Sequence, residues 1–220
     1  MAPWKIVAIS DTHCQHNAIN MPEGDVVVHA GDATYRGTIP EMEAFAYWYG
    51  NLPYRLKVYT AGNHDWLCAT DRGLAKEIMR HHGIVYLQDE AATLYLPDKE
   101  RTLQVYGTPH SPIFFDWAFN EPEERLKMLF EAIPAGLDIL ITHTPPHGIL
   151  DEVTEDFKVK YLGCHSLLDV VQERKPKYQV FGHIHQSYGQ RVLGSTTFIN
   201  ASTCNAHYKP VNAPIVFEIR

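Results

Sequence analysis

Aspartate, asparagine and histidine residues follow five separate apolar runs of this sequence, each at the point where the run ends. The runs with their polar ends read "WKIVAISDTH", "DVVVHAGD", "RLKVYTAGNHD", "LDILITH" and "YQVFGHIH". Carboxylate and amide oxygens, together with neutral imidazole nitrogens, are ligands for Mn, Fe, Zn, Co or Ni. Because the set contains no thiolate, it differs from a structural zinc knuckle. The five ends therefore predict a metal site built from distant parts of the chain.

The apolar runs that carry these residues are predicted to be strands of an α/β protein. They are nearly continuous rather than alternating, which is typical of strands buried on both faces. Helical spacing lies between them over 39–53, 71–83, 120–134 and 164–176. Two further runs, "GIVYLQD" and "ATLYLPD", are expected to pair with each other as antiparallel strands. Since ligand crevices form at the carboxyl ends of strands in α/β sheets, five strand ends can bring their side chains together.

The spacing within two of the motifs adds support for a shared site. Asp11 and His13 lie two residues apart, as do His183 and His185. On an extended strand such pairs point to the same side, although a loop at either place would remove this argument. Each residue also has an ordinary interpretation, because a strand-end aspartate is commonly a helix cap and an asparagine a turn residue. The joint occurrence at five strand ends favours the metal site.

Composition limits the classes of protein and of partner. The 220 residues form one predicted domain over 1–220, with a formal net charge of −7 and a pI of about 6.0. This charge makes long duplex nucleic acid or an anionic membrane an unexpected partner. Apolar runs stay short of the roughly 18 residues of a spanning helix, and the N-terminus lacks signal-peptide features. Four scattered cysteines without a CxxC pair indicate free thiols, so a cytoplasmic location is expected.

Together the motifs Asp-x-His, Gly-Asp, Gly-Asn-His-Asp, His and Gly-His-x-His, spread over 11–185, resemble the calcineurin-like metallophosphoesterase superfamily. The wording of "SDTHCQH", "THTPPHGILD" and "FGHIHQSYG" is similar to the metallophosphoesterase-domain-containing, class III phosphodiesterase-like subgroup, which is associated with phosphodiester hydrolysis. The resemblance implies a four-layer α/β/β/α sandwich, in which two mixed β-sheets are flanked by helices. It also implies a site for two metal ions at the top of the sheets.

The resemblance also implies a role for each motif residue. The first metal would be held by Asp11, His13 and His185, the second by Asn63, His143 and His183, with Asp32 bridging them. Mn²⁺ is the first expectation for both ions, with Fe, Zn, Co or Ni as alternatives. His64 would be the general acid beside the scissile phosphate. Asp65 would orient His64, or else serve as a surface or capping group.

The implied reaction is hydrolysis of a small phosphodiester, with a nucleotide such as a cyclic nucleotide as the expected example. A hydroxide between the two metals would attack phosphorus, and His64 would protonate the leaving group. Arg36, His16 and His147 are candidates for substrate binding. The alternatives are a phosphomonoesterase or phosphoprotein phosphatase, and a non-catalytic scaffold on the same fold. The scaffold is disfavoured because His64 and all seven candidate ligands are present. The sequence gives no expectation of oligomeric state.

Overall fold

The computed structural model describes residues 3–155 and 157–220. The strands, in chain order, are β1 (Trp4–Ile9), β2 (Val26–Ala30), β3 (Leu56–Thr60), β4 (Val85–Tyr86), β5 (Glu90–Leu94), β6 (Leu103–Thr108), β7 (Ser111–Pro112), β8 (Asn120–Glu121), β9 (Ile139–Thr142), β10 (Glu152–Glu155), β11 (Lys158–Tyr161), β12 (Tyr178–Phe181), β13 (Gly189–Leu193), β14 (Thr196–Asn200) and β15 (Ile215–Ile219). The helices are α1 (Ile39–Gly50), α2 (Trp66–Thr70), α3 (Arg72–His81), α4 (Glu123–Glu131) and α5 (His165–Arg174), with short 3₁₀ turns at His16–Ala18 and His185–Ser187. No helix within the described ranges is both long and apolar enough to cross a membrane.

Two large mixed sheets form the centre of the molecule. The first has the order β15-β1-β2-β3-β4, in which only β15 runs antiparallel to its neighbour. The second has the order β13-β14-β12-β9-β6-β5, with a parallel interior and an antiparallel strand at each edge. Two small pairs, β7 with β8 and β10 with β11, lie outside these sheets.

The strands are apolar on both faces because each sheet is covered on both sides. Between the sheets, Ile6 and Val28 of the first pack with Ile141 and Val180 of the second in one buried cluster. The outer face of the first sheet is covered by α1 and α3, and that of the second by α4 and α5. These layers confirm the predicted four-layer α/β/β/α sandwich. The carboxyl ends of the parallel strands consequently lie along neighbouring edges of the two sheets.

Local signals account for the helix boundaries on the first sheet. At the start of α1, the Thr38 hydroxyl accepts a hydrogen bond from the Glu41 amide, and the Glu41 carboxylate accepts one from the Thr38 amide. This reciprocal pair is a capping box. At the start of α3, the Asp71 carboxylate accepts from the Leu74 amide at 2.9 Å. Both helices therefore begin at residues whose side chains satisfy free backbone amides.

Three local features differ from the expectations drawn from the sequence. The runs at β4 and β5 do not pair with each other, since β4 is parallel to β3 and β5 is antiparallel to β6. The helix expected over 120–134 begins only at Glu123, because Asn120 belongs to β8 and its side-chain amide donates to the Phe114 carbonyl at 2.9 Å. The short helix α2, directly after "GNHD", was not predicted.

Candidate metal centre

The backbone turns sharply where the strands end. Four of the seven predicted ligands have left-handed backbone angles, namely Asp11 (φ 53°), His13 (φ 40°), Asp32 (φ 56°) and His183 (φ 67°). Residues other than glycine rarely adopt this conformation, and such residues concentrate at functional sites. The argument from extended strands is therefore wrong, because Asp11 and His13 lie beyond β1 in a turn. The side chains converge through these turns instead.

Asp11, His13 and His185 form the first group of ligand atoms. One atom from each lies within 4.8 Å of the other two. The Nε2 atoms of His13 and His185 are 3.2 Å apart, and His185 Nε2 lies 3.3 Å from Asp11 Oδ1. All three are buried or nearly so, so these polar atoms face each other away from solvent.

A second group forms around His143, next to the first. His143 Nε2 lies 2.9 Å from Asn63 Oδ1 and 3.4 Å from Asp32 Oδ1. The ring of His183 lies against that of His143, with 5.0 Å between centroids. The other oxygen of Asp32, Oδ2, lies 3.8 Å from His13 Nε2 in the first group. Asp32 therefore stands between the two groups, where a bridging carboxylate would be.

The tautomers of three histidines follow from their backbone contacts. Their Nδ1 atoms lie against carbonyl oxygens in the pairs His13 with Thr34 (3.3 Å), His143 with Ala30 (2.9 Å) and His185 with Asn205 (3.0 Å). A carbonyl oxygen can only accept, so each Nδ1 carries the proton that it donates. In the neutral rings Nε2 is then a lone-pair acceptor directed towards the centre. This is the arrangement of a metal-ligating histidine fixed by its other nitrogen.

Acceptor atoms consequently face each other at two points. The His13 and His185 Nε2 atoms do so at 3.2 Å, and His143 Nε2 does so with Asn63 Oδ1 at 2.9 Å. Lone pairs at these distances repel each other unless a cation lies between them or a ring is protonated. The nitrogen and oxygen donors suit divalent transition metals. The residues of the centre therefore fit two metal ions, one at each group.

Burial and neighbouring charges set the protonation states of the ligands in the centre. Burial, which disfavours the charged ring, lowers the pKa of His13 to about 4 and that of His183 to about 3. Burial alone would raise the pKa of Asp32, but the surrounding histidines, His143 first, hold it well below its usual value. Burial likewise opposes the charged form of His143, yet Asp32 beside it raises the pKa of that ring to about 9. A cation bound here would replace the positive charge that His143 otherwise carries.

Asp11 is held by a residue that the sequence did not single out. Its Oδ2 accepts a hydrogen bond from the Ser202 hydroxyl at 2.8 Å, and its carboxylate also accepts from the His183 amide at 3.1 Å. Ser202 follows β14, and its hydroxyl also lies 2.8 Å from Asn200 Oδ1. The signal for this sixth strand end was present in "TFINAS", which combines an apolar run with a polar end.

His64 stands at the edge of the centre with its ring fixed. Its Nδ1 donates to the Tyr35 carbonyl at 2.8 Å, and its Nε2 lies 4.0 Å from Asp32 Oδ2. Trp117 lies against the ring with 4.2 Å between centroids. The backbone amide of His64 donates to Asp32 Oδ1 at 2.8 Å. The adjacent Asn63 faces His143, so the two neighbouring side chains face different parts of the centre.

The sequence predicts that Asp65 orients His64 or else serves as a surface or capping group, but the structure gives it a different, buried position. Its buried carboxylate accepts hydrogen bonds from the amides of Asp32 (2.9 Å), Ala33 (3.3 Å), Thr34 (3.0 Å) and Gly62 (2.8 Å), and from the Thr34 hydroxyl (2.7 Å). The partner of the His64 ring is instead the Tyr35 carbonyl. Asp65 therefore ties the "GD" turn to the "GNHD" turn, and acts on the centre through the backbone.

The three candidates for substrate binding lie in different surroundings. Arg36 is exposed, and its backbone amide donates to Glu41 at 2.9 Å. His16 is only 4% exposed and packs against Trp48, with 4.9 Å between ring centroids. His147 lines a cavity beside the centre and stacks on His165. His16 thus has a packing environment, whereas substrate contacts of Arg36 and His147 stay predictions.

This fold and this donor set are those of a metal-dependent phosphoesterase. The family model for calcineurin-like phosphoesterases matches residues 5–187, and the chain belongs to that family. Metallophosphoesterase domain-containing protein 1 of Homo sapiens is 40% identical over 234 residues, which cover 98% of this chain and 71% of that protein. A UPF0046 protein of Caenorhabditis elegans is 34% identical over 229 residues, with 98% and 75% covered. The match with the human protein supports the predicted subgroup.

A solved structure is similar in fold at much lower identity. The crystal structure of TT1561 of Thermus thermophilus aligns over 100% of both chains with a TM-score of 0.58 and 13% identity. At this identity the likeness concerns the fold alone. It agrees with the arrangement of two sheets and outer helices described above.

The Asp65→Asn variant tests whether Asp65 acts by holding the backbone turns or by acting on His64. In Asp65→Asn, one oxygen that accepts amide hydrogens becomes an NH₂ group, so we expect the Asp32 turn to shift. Metal affinity should fall by about 10–100-fold, as is typical for residues that hold metal ligands in place. Isothermal titration with Mn²⁺ measures this change. Asp71→Asn, at an exposed helix cap, is the matched control. Unchanged affinity with a slower reaction would instead mean that Asp65 acts through His64.

The space at Gly182 gives a second prediction. A Cβ at this position would overlap Asp11 Oδ2 and Ser10 Oγ. Gly182→Ala should therefore displace Asp11 and reduce binding of the first metal, which metal analysis after gel filtration can count. Gly73→Ala is the control, because a Cβ there meets only Asp71 Oδ1 at 3.4 Å. Full metal content in Gly182→Ala would show that Asp11 is not needed where we place it.

Proposed function

We propose that this protein hydrolyses small phosphodiesters, with nucleotide diesters as the expected class and Mn²⁺ as the metal. The observation that carries the proposal is the position of His64 beside the bridging Asp32, with its ring fixed and its Nε2 directed at the centre. A proton donor at this place serves an alkoxide leaving group. A non-catalytic scaffold protein does not require a proton donor at this position.

The charge of the cleft favours a diester over a monoester. Of the described residues that line the cleft above the centre, none is lysine or arginine. The lining is instead aromatic and apolar at its rim, with Phe114, Phe115, Trp117 and Tyr208. A monoester dianion is usually held by arginine side chains, because their planar donors pair with phosphate oxygens. A diester carries one negative charge, and two metal ions suffice to neutralise it.

Each residue of the centre then has a task in the proposed reaction. Two bound divalent ions would neutralise the phosphoryl oxygens and make an attacking water more acidic. Asp32 keeps the two groups of ligands in register, with one oxygen towards His143 and the other towards His13. His64, as the imidazolium, would give its Nε2 proton to the departing oxygen and become the neutral ring, in which Nδ1–H still donates to the Tyr35 carbonyl and keeps the ring oriented. Trp117 limits the ring to one orientation by lying against its face.

A pair of chromogenic esters tests the substrate class. Protein loaded with Mn²⁺ should hydrolyse bis-p-nitrophenyl phosphate with a higher kcat/KM than p-nitrophenyl phosphate, because the cleft lacks cationic side chains for a dianion. Chelation by EDTA should abolish both activities, and Asp32→Ala should lose metal and activity together. Preference for the monoester would reverse the assignment of substrate. If no divalent metal supported turnover of either ester, the assignment of this protein as an enzyme would be wrong.

His64→Ala tests the division of tasks between Asn63 and His64. The variant should keep both metals, since His64 Nε2 lies 4.0 Å from Asp32 and Asn63 remains in place. Its rate should fall by about 10²–10⁴-fold, as for loss of a general acid. The loss should be largest for diesters with poor leaving groups and smallest for p-nitrophenolate. His81→Ala, an exposed histidine at the end of α3, is the matched control. Loss of metal from His64→Ala would contradict the assignment.

A further inference from the structure

A second cavity adjoins the cleft above the metal centre. It has a volume of about 410 Å³, within the range of about 300–1,000 Å³ that is usual for small-molecule sites. Phe114, Leu162, His183 and Ile184 line both spaces, so the two adjoin each other on the side of the second group of ligands. His64 and Trp117 line the cleft but are not part of the cavity wall.

This placement decides which part of a substrate the cavity can receive. In the proposed reaction the leaving group must be near His64, the proton donor. The cavity instead adjoins His183, on the side of His143. An ester group that enters the cavity is therefore the one that stays on phosphorus when the other departs.

The wall of the cavity is suited to a planar ring. His147 stacks on His165, with 3.8 Å between centroids and 27° between planes, and Tyr161 lies against His147 at 6.1 Å. Ile113 and Leu162 add apolar surface. Of the described residues in the wall none is lysine or arginine, so a second phosphate has no partner there. Aromatic side chains at such a site commonly stack a base.

The polar groups of the wall accept hydrogen bonds. Oε1 of Glu123 already accepts from the Ser166 amide (2.9 Å) and hydroxyl (2.6 Å), whereas the one donor that the described residues offer to Oε2 is the weak donor Cys164 Sγ at 3.9 Å. The Nδ1 atom of His147 lies 3.8 Å from Asp151 Oδ2, beyond hydrogen-bonding distance, and has no hydrogen-bond partner among the described residues. A ring that carries N–H donors can pair with Oε2 of Glu123.

We propose that this cavity binds the retained ester group of the substrate, and that this group carries a nucleobase. The inference rests on the proposed phosphodiesterase function and makes it specific, because it assigns the two ester groups to different places. In a diester whose two ester groups are not joined, unlike those of a cyclic nucleotide, the departing group meets His64, and the retained nucleoside enters between Phe114, Leu162 and the stacked histidines. Recognition then depends on the retained group more than on the departing one.

Three diesters that share p-nitrophenolate as leaving group test this. They are methyl p-nitrophenyl phosphate, phenyl p-nitrophenyl phosphate and the p-nitrophenyl ester of thymidine 5′-phosphate. We expect kcat/KM to be at least about tenfold higher for the thymidine ester than for the methyl ester, since stacking one base contributes substantially to binding. The difference should appear mainly in KM.

Two substitutions at exposed positions of the wall, His165→Ala and Tyr161→Ala, should bring the thymidine-to-methyl ratio of kcat/KM close to one. Tyr95→Ala, at a tyrosine that is 61% exposed elsewhere, should leave the ratio unchanged. A ratio near one in the unsubstituted protein, or an unchanged ratio in both wall variants, would overturn the cavity assignment while diester hydrolysis stands. Failure to hydrolyse even the methyl ester would overturn the phosphodiesterase proposal and this one with it.

Discussion

The centre depends on acceptor atoms being held face to face. When the rings are neutral, His13 Nε2 and His185 Nε2 at 3.2 Å repel each other, and so do His143 Nε2 and Asn63 Oδ1 at 2.9 Å. They stay together because each ring is tied through Nδ1 to a backbone carbonyl and because the ligands lie on turns fixed to two sheets. Such preorganisation raises metal affinity, since little conformational freedom is left to lose on binding. The repulsion between the neutral ligands is offset by the folding of the rest of the chain.

That support is concentrated in the turns that follow the strands. The Asp65 carboxylate joins the turn after β2 to the turn after β3, and the Ser202 hydroxyl joins the end of β14 to Asp11 after β1. The backbone amide of Thr203 donates to Ser10 at 2.8 Å and links the two sheets directly. Buried hydrogen bonds of this kind are costly to break, because the remaining partner is left unsatisfied. Neither Asp65 nor Ser202 needs to touch a metal to determine how metals are bound.

The layered fold and the set of residues at the metal centre could be predicted from the sequence, because both follow from short-range patterns. Continuous apolar runs indicate strands covered on both faces, and polar residues at their ends indicate a shared edge. The sequence did not show how the ligand side chains come together. The left-handed turns at Asp11 and His13 cannot be inferred from the fact that these residues lie two apart. The role of Asp65 was also hidden, because three of the backbone amides that it binds lie 31 to 33 residues away. The pairing of β5 with β6 rather than β4 was decided by the sheet, not by proximity in the chain.

His64 and His143 show how the same side chain acquires different tasks from its surroundings. Both rings are tied by Nδ1 to a carbonyl oxygen and both present Nε2 near Asp32. His143 is fully buried between the sheets and faces Asn63, so its free nitrogen meets only other ligands. His64 lies on the wall of the cleft against Trp117, where a substrate can reach its Nε2. A ligand must be closed off by other ligands, whereas an acid must be open to the departing group. The single peptide bond between Asn63 and His64 therefore separates the metal centre from the space in which the chemistry is proposed to occur.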